Sequence, residues 1–319
     1  MIFKTVFGVV AVLLCAVPAV AKDMVRVVDS QPLVFDAFAI YLAKEEGYFD
    51  AENLDISIIA GRGGTDSLQA VITGNQDVIY STGILGVISS AAKGAPVKII
   101  GSGDRGANDV FWFVRADSPI KSFKDLDGGH EFTYSTPGSV SHLVVQTIAK
   151  ELGIKPKFVS TGSSAATRTA AMSGQTETAW AVFPASMDIV RKGEARIIGT
   201  GKASSVLNAT TTRVSAANSD WLAKHRDVAI RYMRALYRGQ QHLFTQPDGI
   251  PRYAAHWNLE LEDAKSAYDY FSLEITRFSP IGNLDGLLQM AQEYGFLKEP
   301  VTAAEARNMI DIVYETPKK

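Results

Sequence analysis

The sequence predicts an α/β protein of two facing lobes, and three observations carry that reading. Residues 70–77 (AVITGNQD) and 170–177 (AAMSGQTE) repeat each other at a spacing of one hundred. Each copy reads as a helix end, a glycine stop (Gly74, Gly174), a short turn and an acidic residue leading into an apolar strand. The likeness spreads upstream into two βαβαβ patterns, and no low-complexity stretch separates them, so ordered strands must join the two units. A cleft between two such lobes is the natural place for a ligand.

In chain order, the first unit has a strand at 25–29, a helix at 35–46 and a second strand at 54–60. A glycine-rich turn (Gly61, Gly63, Gly64, Thr65) then opens the next helix. The second unit has a strand at 131–135, a helix at 139–152, a strand around Phe158 and Val159, and Gly162, Ser163 and Ser164 opening another helix. Residues 110–115 (VFWFVR) are apolar and extended in character and are the candidate first crossing between lobes; the β-branched run 210–215 (TTTRVS) is the candidate return. From there the pattern is helical. Ser219 and Asp220 cap a helix that Gly239 is expected to stop, and further helices are expected near 261–271, 284–294 and 303–313 as buttresses of the first lobe, with no binding role. The lobes are thus expected to comprise 22–109 with 206–319, and 110–205.

Residues 1–21 carry one charge, Lys4, an apolar run through Val17, and Ala19 and Ala21 in the small-x-small pattern of a signal-peptidase site. A secretory leader cut after Ala21 is expected, because the run is short of the roughly 20 residues that span a bilayer. The only cysteine, Cys15, lies within it and follows Leu14, whereas a lipoprotein signal wants a small residue there. The expected mature chain therefore has no disulfide or thiol chemistry. A net charge of −2, with 46% hydrophobic and 21% charged residues, is ordinary globular material and gives no ground for a nucleic-acid or membrane-surface partner.

The order of several short pieces resembles the substrate-binding proteins of ABC importers for alkanesulfonates, taurine, nitrate and thiamine pyrimidine precursors, a subgroup of type II periplasmic binding proteins. They are 43–49 (AKEEGYF) before 54–58 (LDISI), Gly74 to Asp77, Gly94-Ala95-Pro96 ahead of a strand, 118–126 (SPIKSFKDL), Gly138-Ser139 after a strand, and 284–297 with Pro300. Glu177 and Trp180 depart from it, standing where members more often have Asp and small residues. The resemblance implies a periplasmic monomer that closes on a small molecule and hands it to an inner-membrane ABC permease, with no cofactor. A partner that is a membrane sensor would require the same fold and site.

Helix N-termini hold anions through unpaired N–H groups and the helix dipole. The turn with Arg62, Gly63, Gly64 and Thr65 offers one such end, and Thr136, Gly138 and Ser139 offer the facing one. Gln31, Pro32 and Phe35 after the first strand, and Ser81, Thr82 and Gly83 after the third, fall at the carboxyl ends of strands, where α/β proteins bind ligands. Trp180 is a candidate stacking surface, and Arg62 and Arg105 are candidate ion partners. The expected ligand is a small organic anion, sulfonate or carboxylate; the alternative is a neutral pyrimidine-type thiamine precursor. Catalysis finds no motif: the five histidines lack metal-ligand spacing, and no GxSxG, P-loop or GxGxxG follows a strand. Pyrimidine-precursor synthases of this fold carry a cysteine-rich motif that this chain cannot supply.

Overall fold

A computed structural model describes residues 21–61 and 63–317; the predicted leader up to residue 20, and Arg62, lie outside the described residues. The first unit contains β1 (Asp23–Asp29), α1 (Phe38–Glu45), α2 (Tyr48–Ala51), β2 (Leu54–Ala60), α3 (Gly64–Ile72), β3 (Val78–Gly83), α4 (Ile84–Ala92) and β4 (Val97–Ser102). The second contains β5 (Val110–Arg115), β6 (Glu131–Tyr134), α5 (Val140–Leu152), β7 (Lys157–Ser160), α6 (Ser164–Met172), β8 (Ala179–Val182), α7 (Met187–Arg191), β9 (Ala195–Thr200) and α8 (Ser205–Asn208). After β10 (Arg213–Asn218) come α9 (Ser219–Lys224), α10 (Arg226–Thr245), α11 (Gly249–Trp257), α12 (Leu261–Tyr268), α13 (Leu284–Glu293) and α14 (Ala303–Asn308).

The first sheet has the order β2-β1-β3-β10-β4, with β1 parallel to β2 and β3, and β10 antiparallel to β3 and β4. In the second lobe β8-β5-β9 is antiparallel and β6-β7 is a parallel pair. Thr178 ties these two pieces together: its Oγ1 donates to the Glu131 carbonyl at 3.0 Å and accepts from the Thr133 N–H at 3.2 Å. A side chain thus does the work of ladder bonds where β6 meets β8. Read across this joint, β7-β6-β8-β5-β9 matches β2-β1-β3-β10-β4 strand for strand.

The repeated acidic residue is explained by this plan. Asp77 Oδ2 accepts the Arg26 N–H at 2.8 Å, and Glu177 Oε2 accepts the Glu131 N–H at 2.7 Å. In each lobe the carboxylate pins the turn before the third strand onto the first strand. Gly74 and Gly174 precede it in the left-handed region, at φ 76° and 80°, where only glycine stops a helix at low cost.

Three expectations need correction. Residues 110–115 are not a crossing but the strand β5, seated inside the second lobe's sheet with Trp112 fully buried and its Nε1 donating to the Thr133 carbonyl at 2.7 Å. The chain crosses just before it, and that crossover is bonded to the return: Gly106 N–H donates to the Thr210 carbonyl at 2.9 Å and Thr212 N–H to the Asp104 carbonyl at 2.8 Å. Nor does Gly239 stop a helix. The cap is Asn218, whose side chain accepts from the Asp220 and Trp221 N–H groups; the helix breaks at His225, and α10 then runs through Gly239. A Cβ there would lie 2.3 Å from the Ala39 carbonyl oxygen and 2.7 Å from Ala43 Cβ, so the missing side chain is what lets α10 cross α1 closely. Gly239→Ala is expected to cost about 1–3 kcal/mol by overpacking, measured by urea denaturation. Finally, the last predicted helix ends at Asn308, because Ile310 bridges Ile99 and the Asp311 N–H donates to the Ile99 carbonyl at 2.7 Å. The chain's end covers the edge of β4 instead of continuing as helix.

Candidate ligand-binding site

Two cavities, of about 440 and 380 Å³, lie end to end between the lobes. They meet at residues that line both: Gln31, Gly64, Thr65, Ser135, Trp180 and Val182. Thr65 Oγ1 and Thr136 Oγ1 are 3.2 Å apart there, one hydroxyl from each lobe.

Most of the predicted site residues come together. Ser81, Thr82, Gly83, Gly138 and Ser139 line the larger cavity, and Pro32, Gly63 and Thr136 the smaller. Two do not. Phe35 is fully buried behind the cleft, its ring 5.0–5.5 Å from those of Tyr253, Tyr268 and Phe244; it turns inward because the chain is still winding into α1 there. Arg105 sits in the crossover, bridged to Thr211 and beside Gly282, and lines neither cavity.

The helix ends differ in what they leave free. Ser139 caps α5, its hydroxyl accepting the His142 N–H at 3.2 Å, and Ser163 caps α6 in the same way. Gly63 and Gly83 precede α3 and α4 and provide no side-chain cap. Among the described residues no side chain caps the first-turn N–H groups of α3, which leaves them to a bound acceptor. Two cavity-lining residues also hold a buried polar atom with no hydrogen-bond partner among the described residues, Trp180 at Nε1 and Ser81 at Oγ. Ser81 holds a left-handed φ of 56°, uncommon for a residue with a side chain, and Ser30 Oγ donates to its carbonyl at 2.5 Å. An unpaired buried donor costs free energy unless a ligand satisfies it.

Among the described residues, the larger cavity is lined by Lys93, Lys298 and Arg213 and by no carboxylate, and Asp66 is the acidic residue on the smaller. His142 also lines it. Burial pulls its imidazole down to about 4, and its Nδ1 accepts the Gly138 N–H at 3.2 Å, so it is neutral at pH 7 with the proton on Nε2. Arg213 is not free to pair with a ligand: its Nη1 and Nη2 donate to Asp104 at 2.9 Å and to Asp109 at 3.0 and 2.8 Å. Burial raises Asp104 to about 6, against the pull of Arg213, and raises Asp36 well above the usual carboxyl range, with the charge of Asp104 adding to it.

Asp29, at the end of β1, is pushed up to about 7 by burial, which the Gln31 N–H only partly offsets. An acid whose pKa is higher folded than unfolded binds its proton more tightly in the native state. Its stabilising contribution is thus full below the ordinary range near 4 and is lost as pH rises through 6 to 7. Melting is expected at a higher temperature at pH 5 than at pH 8, with Asp29→Asn flattening the dependence; an unchanged slope in that variant would rule Asp29 out as its source.

A family model described as NMT1/THI5 like matches residues 35–250. The chain belongs to the NMT1/THI5-like family. No curated protein sequence matches it. Among solved structures, this NMT1/THI5-like chain is similar to the periplasmic aliphatic sulphonate-binding protein SsuA of Escherichia coli, with a TM-score of 0.73 and 20% identity over 93% of this chain and 95% of that one. It is equally similar, at TM-score 0.73 and 17% identity over 90% and 99%, to the alkanesulfonate-binding protein SsuA of Xanthomonas axonopodis bound to MOPS. The type II periplasmic binding fold and the family resemblance read from the sequence both hold. The fold also serves the desulfurization enzyme DSZB, at TM-score 0.59 and 16% identity over 90% and 99%, so fold alone does not separate binder from enzyme. Among the described residues of this family member, no group of three or more His, Cys, Asp or Glu could hold a metal ion, and no helix is long and apolar enough to cross a membrane.

Sequence reasoning missed Arg213, His142 and the C-terminal residues Tyr294, Gly295 and Phe296, all of which line the larger cavity. Arg213 had a signal, a lone cation in the return strand TTTRVS. Phe296 had none; it follows the helix read as a buttress, α13, whose C-cap Tyr294 lines the cavity as well.

Proposed function

We propose that this protein is the periplasmic solute-binding component of an ABC importer, closing on a small organic anion such as a sulfonate or carboxylate. The observation that carries the reading is the convergence of the uncapped α3 end and the facing α5 end on a cavity with no carboxylate among its described lining residues, two of which, Ser81 and Trp180, each hold a buried unpartnered polar atom. Two of the similar structures, both sulfonate-binding proteins, support the same class. The moving units are 22–109 with 206–319, and 110–205, turning about the paired crossovers. Ligand contacts from both units favour the closed form, which the permease recognises.

A neutral heteroaromatic ligand is the second reading, favoured by the unpaired Trp180 Nε1, which serves an uncharged acceptor equally well. A thermal-shift panel of sulfonates, carboxylates, nitrate, pyrimidines and amines on refolded, ligand-free protein separates the two. Selective stabilisation by sulfonates or carboxylates supports the anion; stabilisation by pyrimidines alone overturns it. With an anionic ligand, Trp180→Phe keeps the ring and removes a charge-assisted donor worth about 1.5–3 kcal/mol, so calorimetry should show about a 10- to 100-fold weaker Kd. Unchanged affinity would remove the indole N–H from the site.

A further inference from the structure

The larger cavity has a direction. On α3 it is lined by Thr65, Leu68, Gln69 and Ile72, and on α4 by Leu85, Gly86, Ser89 and Ser90, with Lys93 at its C-cap. Those spacings select one face of each helix, so the cavity is a channel running from the helix N-termini along both axes. At 1.5 Å per residue, α4 alone gives it roughly 13 Å of length. Gly86 keeps the floor low, since a Cβ there would already touch Leu68 Cδ2 at 3.7 Å.

Phe296 lines this channel. Ser89 Oγ donates to its carbonyl at 3.4 Å, which fixes it beside the second turn of α4, and its ring meets His142 edge-on at 4.7 Å and 71°. His142 is held in turn by stacking on Tyr134 at 4.1 Å. The helix before Phe296 is tied to the second lobe by Lys150 Nζ donating to Glu293 Oε2 at 2.6 Å and by Thr147 Oγ1 against Met290 Sδ at 3.8 Å. A segment bonded to both lobes thus puts an aromatic ring in the wall of a channel whose apolar strip is Leu68, Ile72, Leu85 and Val140.

We propose that Phe296 determines specificity by setting the length of apolar tail the cleft accepts, the ligand being an amphipathic molecule with its head at the helix ends and an unbranched tail along Leu68, Ile72, Leu85 and Val140. For the charge of the head this rests on the anion reading above; the length filter does not. The test is calorimetric titration of unbranched alkanesulfonates, alkanoates and primary alcohols of increasing length against wild type, Phe296→Leu and Phe296→Ala, with circular dichroism and melting temperature as controls of folding. In the wild type, affinity is expected to rise about fourfold per methylene to a limiting length and then fall. Phe296→Ala moves the limit to longer chains and strengthens the longest by about tenfold, leaving the shortest within about twofold; Phe296→Leu lies between and carries the test if the alanine variant does not fold. An unmoved limit in a folded variant, or equal weakening at every length, overturns the proposal. If only the alcohols bind, the anion reading fails while the length filter is still read in that series; if no series binds any of the proteins, both fall.

Discussion

An Arg213→Met variant is expected to lose about 3–5 kcal/mol of stability, because it keeps most of the side-chain volume and leaves Asp104 and Asp109 buried without their cation. Arg213 is 3% exposed and Asp104 and Asp109 are 2% exposed, so water cannot replace the lost partner. The bonds also join the two crossovers: Arg213 opens β10 at the end of the return, while Asp104 and Asp109 lie on the outward crossing. Removing the cation therefore loosens the hinge as well as the core. Denaturant melts at pH 7 measure the loss, and adding Asp104→Asn and Asp109→Asn to the variant should restore much of it by removing the stranded charge. A loss below about 1 kcal/mol would show that the carboxylates are neutral or hydrated without Arg213.

Locking the lobes should have the largest effect on binding. Thr65 and Thr136 touch through their hydroxyls at 3.2 Å across the cleft, and the chain expressed from Lys22 contains no other cysteine. A Thr65→Cys/Thr136→Cys variant, oxidised or joined by a short bifunctional thiol reagent, is expected to exchange ligand at least about a hundredfold more slowly, with recovery after reduction of the disulfide form. Stopped-flow fluorescence of Trp180 is the readout, since that indole lines both cavities. Normal exchange in the cross-linked protein would show that the ligand enters without the lobes parting, and the closure mechanism would fall.

What the sequence determined by itself are the features whose cause is local. The two strand-helix-strand repeats, their glycine stops at Gly74 and Gly174, and the turns that open α3, α5 and α6 all follow from short-range backbone preference and apolar periodicity. The strand ends and helix starts that line the cleft were legible for the same reason, because at fixed places in a repeat they must face the same side of the sheet. Tertiary structure decided the rest. Phe35 is in a predicted binding loop but becomes core, since four aromatic rings from α10, α11, α12 and the loop after α12, some two hundred residues away, surround it. Gly239 carries a stop signal, yet the close approach of α1 uses its missing side chain and the helix continues. Arg213 and Phe296 owe their positions to partners far along the chain, Asp104 and Asp109 for one, Ser89 and His142 for the other. Long-range packing leaves no periodicity or spacing behind, so only the folded chain reveals which residues it brings to the cleft.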